Sequence, residues 1–246
     1  MGLTSSLTGG GTAQVTTRQD GEEIAELIVD AAISNGSLTK TGAGSLLLNA
    51  SNTITNTVAN GGQLWVGNNS ALGSTGTLTL TNSGLRAIGG DRTIDRGMSI
   101  TGTAVFTGTN QITLTGNATM TANRSYFVAD PTAIVTFAGN ISGAFAPTKI
   151  GAGTLVFAGP NTYTGHTYVN AGTLVAAHNS ALGGGTGQTY VVPNATLGLQ
   201  GNITTGETIS VMGVGGPGRL GAIENISGNN TISNTITAID YKGSTV

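Results

Sequence analysis

Lys149-Ile150-Gly151-Ala152-Gly153-Thr154-Leu155-Val156-Phe157 opens a block that runs from Pro147 to Gly183, and the block has a diverged twin 109 residues earlier. Lys40, Gly42, Ala43, Gly44 and Leu46 recur as Lys149, Gly151, Ala152, Gly153 and Leu155, and Asn52, Thr53 and Thr55 recur as Asn161, Thr162 and Thr164. One inserted residue, His166, shifts the spacing to 110. Asn60, Gly62, Leu64 and the run Asn69-Ser70-Ala71-Leu72-Gly73 then return as Asn170, Gly172, Leu174 and Asn179-Ser180-Ala181-Leu182-Gly183. Self-similarity at a fixed spacing marks a quasi-one-dimensional stack, in which each unit buries its apolar face only against its neighbours.

Working outward, the chain alternates plainly from Leu38 on. Leu46 and Leu48, Leu64 and Val66, Leu78 and Leu80, Ile112 and Leu114, Leu155 and Phe157, and Leu174 and Ala176 are apolar pairs one residue apart. This is the period of a half-buried strand, and the Gly-Ala-Gly, Asn-Gly-Gly and Asn-Ser-Gly turns between the pairs tolerate positive φ. Coils of roughly 20 residues with two or three short strands each fit the uneven spacing, which predicts on the order of 12 coils over the whole chain. Alternation alone also fits a hairpin sandwich, but Asn-Gly hairpin turns between matched strands are rare here and a sandwich gives no reason for the long recurrence.

Composition agrees. Charged residues make up 8% of the 246, against about 25% in ordinary globular chains, while the hydrophobic fraction is 38% and Gly reaches 41. A disordered chain or a coiled coil would be charge-rich. A net charge of −2 with nine scattered Lys and Arg offers no footprint for phosphate backbones, so nucleic acid is not an expected partner. There is no cysteine to form a disulfide or a thiolate metal site. No apolar run approaches the roughly 20 residues of a membrane-spanning helix, and Met1-Gly2-Leu3-Thr4-Ser5-Ser6 lacks the basic start and apolar centre of a signal peptide.

The motif Lys149 to Phe157, followed by Asn161-Thr162-Tyr163-Thr164-Gly165 and Val169-Asn170-Ala171-Gly172-Thr173-Leu174, resembles the autotransporter-associated β-strand repeat of bacterial secreted passenger domains. The earlier copy departs from it, with Ile54 in place of Tyr163, Asn56 in place of Gly165, and Gly61-Gly62-Gln63-Leu64 in place of Ala171-Gly172-Thr173-Leu174. Glu224-Asn225-Ile226-Ser227-Gly228, which echoes Asn140-Ile141-Ser142-Gly143, reads as a partial third start near 224. The resemblance implies an all-β fold, a right-handed parallel β-helix (β-solenoid), exported across an outer membrane to the bacterial cell surface or the extracellular space. The diverged repeats then cover about 33–73 and 141–183 of a β-helix spanning 24–246, after an N-terminal linker or cap at 1–23. Residues 18–33 stay open between a strand, with Leu27, Val29, Ala31 and Ile33 on one face, and a short capping helix, with Ile24, Leu27, Ile28 and Ala31 at helical spacing.

Reactive constellations are sparse. Lyases and hydrolases on such folds need paired carboxylates or a metal cluster on one face. Of eleven Asp and Glu only Asp91 and Asp95 form a close pair outside the N-terminal stretch, each beside an arginine, and they read as solvated. His166 and His178 are the only histidines, and no Gly-x-Ser-x-Gly elbow accompanies them. Gly213-Val214-Gly215-Gly216-Pro217-Gly218 lacks the Lys-Ser/Thr of a phosphate loop and reads as a surface turn. No catalytic residue, cofactor or metal is expected. Trp65, Phe106, Phe137 and Phe157 read as core aromatics stacked between coils.

The expected function is a non-enzymatic structural segment of an autotransporter-like surface protein, one that extends the passenger and aids its export and folding. The alternatives are an adhesin or carbohydrate-binding module, or a self-assembling extracellular filament subunit. For the adhesive reading the candidate contact residues are Tyr163, Tyr168, Arg92 and Arg96, and the partners are host or matrix glycans or proteins. For the filament, the strand-like run Thr231 to Ile239, followed by too few residues to close another coil, predicts either a longer natural chain or end-to-end stacking.

Overall fold

The computed structural model describes residues 12–16, 27–185 and 187–239. It is an all-β parallel solenoid that winds through three sheets, with all three visited in the turns between Thr77 and Phe157. The first sheet holds Thr12–Thr16, Ser37–Thr41, Asn56–Asn60, Thr77–Thr81, Gly97–Ile100, Ala118–Met120 and Ile141–Ser142 in that order. On the same side Thr204–Thr205 pairs with Thr231–Ile232. The second sheet runs unbroken through eleven strands, from Leu27–Val29 and Ser45–Leu48 to Ile236–Ala238, and the third has seven, from Arg92–Ile94 to Ile223–Ser227. Every pairing is parallel and joins a strand to the turn before or the turn after, as in Leu46↔Leu64↔Leu85↔Phe106.

About nine complete turns separate Ser37 from Thr231, fewer than the twelve expected. Turns range from 18 residues (Leu46↔Leu64) to 27 (Thr204↔Thr231), the longest because Gly213–Gly218 loops out as a surface turn. Leu27–Val29 is a strand paired with Leu46–Leu48, and Ile33 is buried, so the strand reading holds for that part of 18–33. Residues 18–26 lie outside the described residues, as do 240–246 and most of the expected cap at 1–23.

The core is a set of columns, one residue per turn, because alternate side chains on every strand face the interior. Ile112, Val135, Leu155, Leu174 and Leu197 form such a column in the third sheet, all essentially buried. Each buried Leu, Ile or Val stabilises by about 1.5–3 kcal/mol relative to exposure. In the middle turns the aromatics interlock edge to face rather than stacking flat: Tyr126 lies 5.3 Å from Phe137 and 5.9 Å from Phe157, and Phe106 lies 6.0 Å from Phe137. Trp65 is not part of this core. Its neighbours Leu64 and Val66 point inward, so the indole points out, where Arg86 covers it at 4.8 Å and Gln63 Oε1 accepts its Nε1–H at 2.9 Å.

The 109-residue offset is not a whole number of turns. Leu46 lies in the second sheet and Leu155 in the third, so the second copy sits about a third of a turn further round the coil. The glycine of each copy that follows the corner is required there. Gly62 and Gly172 have φ of +59° and +63°, and a Cβ on either would strike the carbonyls of the Gly42–Gly44 or Gly151–Gly153 corner one turn back. The echo near 224 is not equivalent to its counterpart: Ile141 is buried in the first sheet, whereas Ile226 is partly exposed on the third, past a register shift at Leu199/Gln200.

Candidate functional site

The repeated residues build two kinds of axial staple. At each corner a buried lysine curls back into a ring of carbonyls. Lys40 Nζ donates to Gly42 O at 2.8 Å and to Gly61 O of the next turn at 3.0 Å. Lys149 Nζ donates to Ile150 O at 2.9 Å, Gly151 O at 2.7 Å and Ala171 O of the next turn at 3.0 Å. Burial pulls the Lys149 ammonium down to about 7; the carbonyls pull the other way, because three acceptors suit the three N–H donors of the charged form.

A buried asparagine bridges three turns in each copy. Asn52 Oδ1 accepts Ile33 N–H at 2.7 Å and its amide donates to Ala71 O at 2.6 Å. Asn161 does the same with Ile141 N–H at 2.8 Å and Ala181 O at 2.7 Å. Removing Asn52 would leave Ile33 N–H and Ala71 O without these partners, and removing Asn161 would leave Ile141 N–H without its acceptor and Ala181 O with only a long 3.5 Å contact from Tyr163 OH, each loss costing about 1–3 kcal/mol.

Two of the four residues expected at a contact surface are interior. Tyr163 is fully buried, with its hydroxyl 2.6 Å from Thr167 Oγ1, because it occupies the inward position that Ile54 fills in the first copy. Arg96 is also buried. Its guanidinium donates to Thr55 O at 2.7 Å, to Thr75 O at 2.9 Å and to Leu72 O, so it closes one corner over three successive turns. Burial lowers its pKa to about 10, and among the described residues its Nε has no partner. Arg92 is half-buried, its guanidinium folded back onto Ile88 O and Asp91 O.

Tyr168 alone remains a surface aromatic, and it has company the sequence reading overlooked. Its ring stacks on Tyr190 one turn on, at 5.3 Å and 13°, with exposed His166 edge-on to both at 6.1 and 5.4 Å. Asp91 and Asp95 do not act together, since Asp91 caps Gln111 N–H at 2.8 Å and Asp95 accepts Thr115 Oγ1–H at 2.7 Å. His178 accepts Ser180 N–H at 3.1 Å within its own turn.

A second residue missed is Glu207, in a cleft of about 420 Å³. Asn161, Thr162, Asn179, Ser180, Gly183–Gly185, Thr205 and Glu207 are among its walls, where the first sheet is interrupted between Ser142 and Thr204. Glu207 is 5% exposed. Its Oε1 accepts Thr189 Oγ1–H at 3.2 Å, and among the described residues Oε2 has no partner. Burial raises its pKa, against the opposing pull of the Thr189 hydrogen bond. A lone Glu in a Thr- and Gly-rich stretch carries no sequence signal; only the interrupted sheet reveals it. Among the described residues there is no cluster of three His, Cys, Asp or Glu fit to hold a metal, and no helix long and apolar enough to cross a membrane.

Comparison with known proteins adds two findings. The passenger-associated-transport-repeat family matches residues 38–66 and 148–176, the two windows that carry both staples' lysines. A curated relative, the adhesin BmaC autotransporter of Brucella suis biovar 1 (strain 1330), is 34% identical over 144 residues, which is 58% of this chain but 4% of that protein. No solved structure matches the chain. With both repeats placed on corners of a parallel β-solenoid, the chain carries two passenger-associated transport repeats and is similar, over those 144 residues, to part of an autotransporter adhesin.

Proposed function

We propose that this solenoid is a non-enzymatic structural part of a passenger at the bacterial cell surface, which extends the passenger and helps drive its export by folding turn by turn. The observation that carries the reading is the axial stapling. Every strand pairs only with adjacent turns, and Lys40, Asn52, Lys149 and Asn161 each bind a new turn to the one before it, so each turn added can lock without waiting for distant parts of the chain. The test is surface display of the chain fused to a heterologous outer-membrane translocator. Wild type is expected to reach the surface in protease-resistant form, and the Asn52→Ala/Asn161→Ala double variant to accumulate in the periplasm; equal display of the two would overturn the reading.

Adhesion is the second reading. It draws on the relative's name and on the His166, Tyr168 and Tyr190 cluster, whose partly exposed rings offer an amphipathic contact at low entropic cost.

A further inference from the structure

The two copies match position for position at the turns beyond each repeat, and one position differs in sign of charge. Thr57 leads by register through Leu78 to Met98, and its counterpart Thr167 leads through Thr189 to Ile209. Arg96 stands two residues before Met98 and Glu207 two before Ile209, so the corner that Arg96 occupies in the first copy is occupied by Glu207 in the second. In the first copy the guanidinium plugs the corner from inside, donating N–H groups to Leu72 O, Thr55 O and Thr75 O. In the second, no arginine or lysine among the described lining residues reaches across, and a cleft of about 420 Å³ lies there. That volume is in the range of small-ligand sites.

We propose that the Glu207 cleft binds a guanidinium group, presented by an arginine side chain of a partner peptide or protein, which fills the corner from outside as Arg96 fills its own from within. The chemistry of the walls matches. Glu207 is buried, with one carboxyl oxygen held by Thr189 and the other without a partner among the described residues, and a carboxylate is the acceptor that a planar N–H fork meets best. Leu182 lines the cleft, and its carbonyl, the counterpart of Leu72 O, meets only the long 3.3 Å contact from Thr167 Oγ1. Gly183, Gly184 and Gly185 contribute no side chains, which leaves the entrance clear. Among the described residues no cation lines the cleft to compete with the ligand. The proposal stands apart from the export role, which asks only that the turns stack.

Calorimetric titration of the folded chain with N-acetyl-arginine amide tests it, with the neutral isostere N-acetyl-citrulline amide and with N-acetyl-lysine amide as the other probes. Saturable binding of the arginine probe is expected, with citrulline and lysine at least tenfold weaker. Glu207→Gln should weaken the arginine probe at least tenfold. Glu207→Arg, which rebuilds the first copy's plug, should abolish binding while leaving the β-sheet circular dichroism unchanged. If Glu207→Arg does not fold, Gly184→Leu gives the same readout, since a Cβ there meets nothing closer than 3.6 Å. No saturable binding to wild type, equal binding of citrulline or lysine, or undiminished binding in the plugged variant would each overturn the proposal.

Discussion

The stretch 38–66 and the stretch 148–176 are built from the same residues and sit on different sheets. Lys40 lies on the first and Lys149 on the second, yet the ammonium's contacts to the corner glycine and to the next turn, and both contacts of each asparagine, agree to within about 0.1 Å, while the next residue's carbonyl lies 3.4 Å from Lys40 Nζ and 2.9 Å from Lys149 Nζ. The repeat therefore encodes a corner with the strands on either side of it, and any of the coil's corners can host it. What differs is how the two copies close the corner. In the first, Arg96 satisfies Leu72 O and reaches Thr57 Oγ1 at 3.5 Å; in the second, Tyr163 OH and Leu182 O share Thr167, and Glu207 stands where the arginine would be.

The largest expected effect falls on what both copies share. Gly62→Val and Gly172→Val each force a side chain into a left-handed backbone position against corner carbonyls, and each should cost more than about 4 kcal/mol. Chemical denaturation checks this. Similar losses for the two variants support equivalent corners, whereas a neutral Gly62→Val would break the comparison.

A smaller effect is read from pH, where the shared corner lysine and the carboxylate peculiar to the second copy have opposite slopes. Burial sets the folded Lys149 near 7 against 10.5 in an unfolded chain. Between those values the unfolded chain holds a proton that the folded one has released, so stability should rise with pH over that window, and Lys149→Met should flatten the rise. Glu207 has the opposite slope. Its folded pKa is raised above the unfolded 4.5, so the folded state keeps its proton longer and stability falls as pH climbs from that point. Glu207→Gln should remove this fall and leave the chain more stable than wild type at neutral pH. Thermal melts from pH 4 to 10 decide both.

Much of this fold was legible because a solenoid repeats its logic. The period-two pairs such as Leu46/Leu48 and Leu155/Phe157 named the interior columns, and the recurrence of Lys, Asn and Gly marked the corners before their roles were known. The site was legible only in part. Tyr163 and Arg96 look like surface residues in sequence, since Tyr and Arg are seldom fully buried; what draws them inside is the set of carbonyls and hydroxyls that the coil turns toward them. Tyr190 and Glu207 gain meaning only from register, Tyr190 because it lies beside Tyr168 one turn on and Glu207 because it holds in the second copy the position that Arg96 holds in the first.

The central claim is that each repeat staples its own three turns, and amide hydrogen exchange of Asn161→Ala tests it most directly. Ile141 N–H loses its acceptor and Ala181 O its donor. Protection is therefore predicted to collapse around residues 141–184, at a cost of about 2–4 kcal/mol, while residues 37–87, held by Asn52, keep wild-type protection. Unchanged protection around Ile141, or an even loss along the whole coil, would contradict the account.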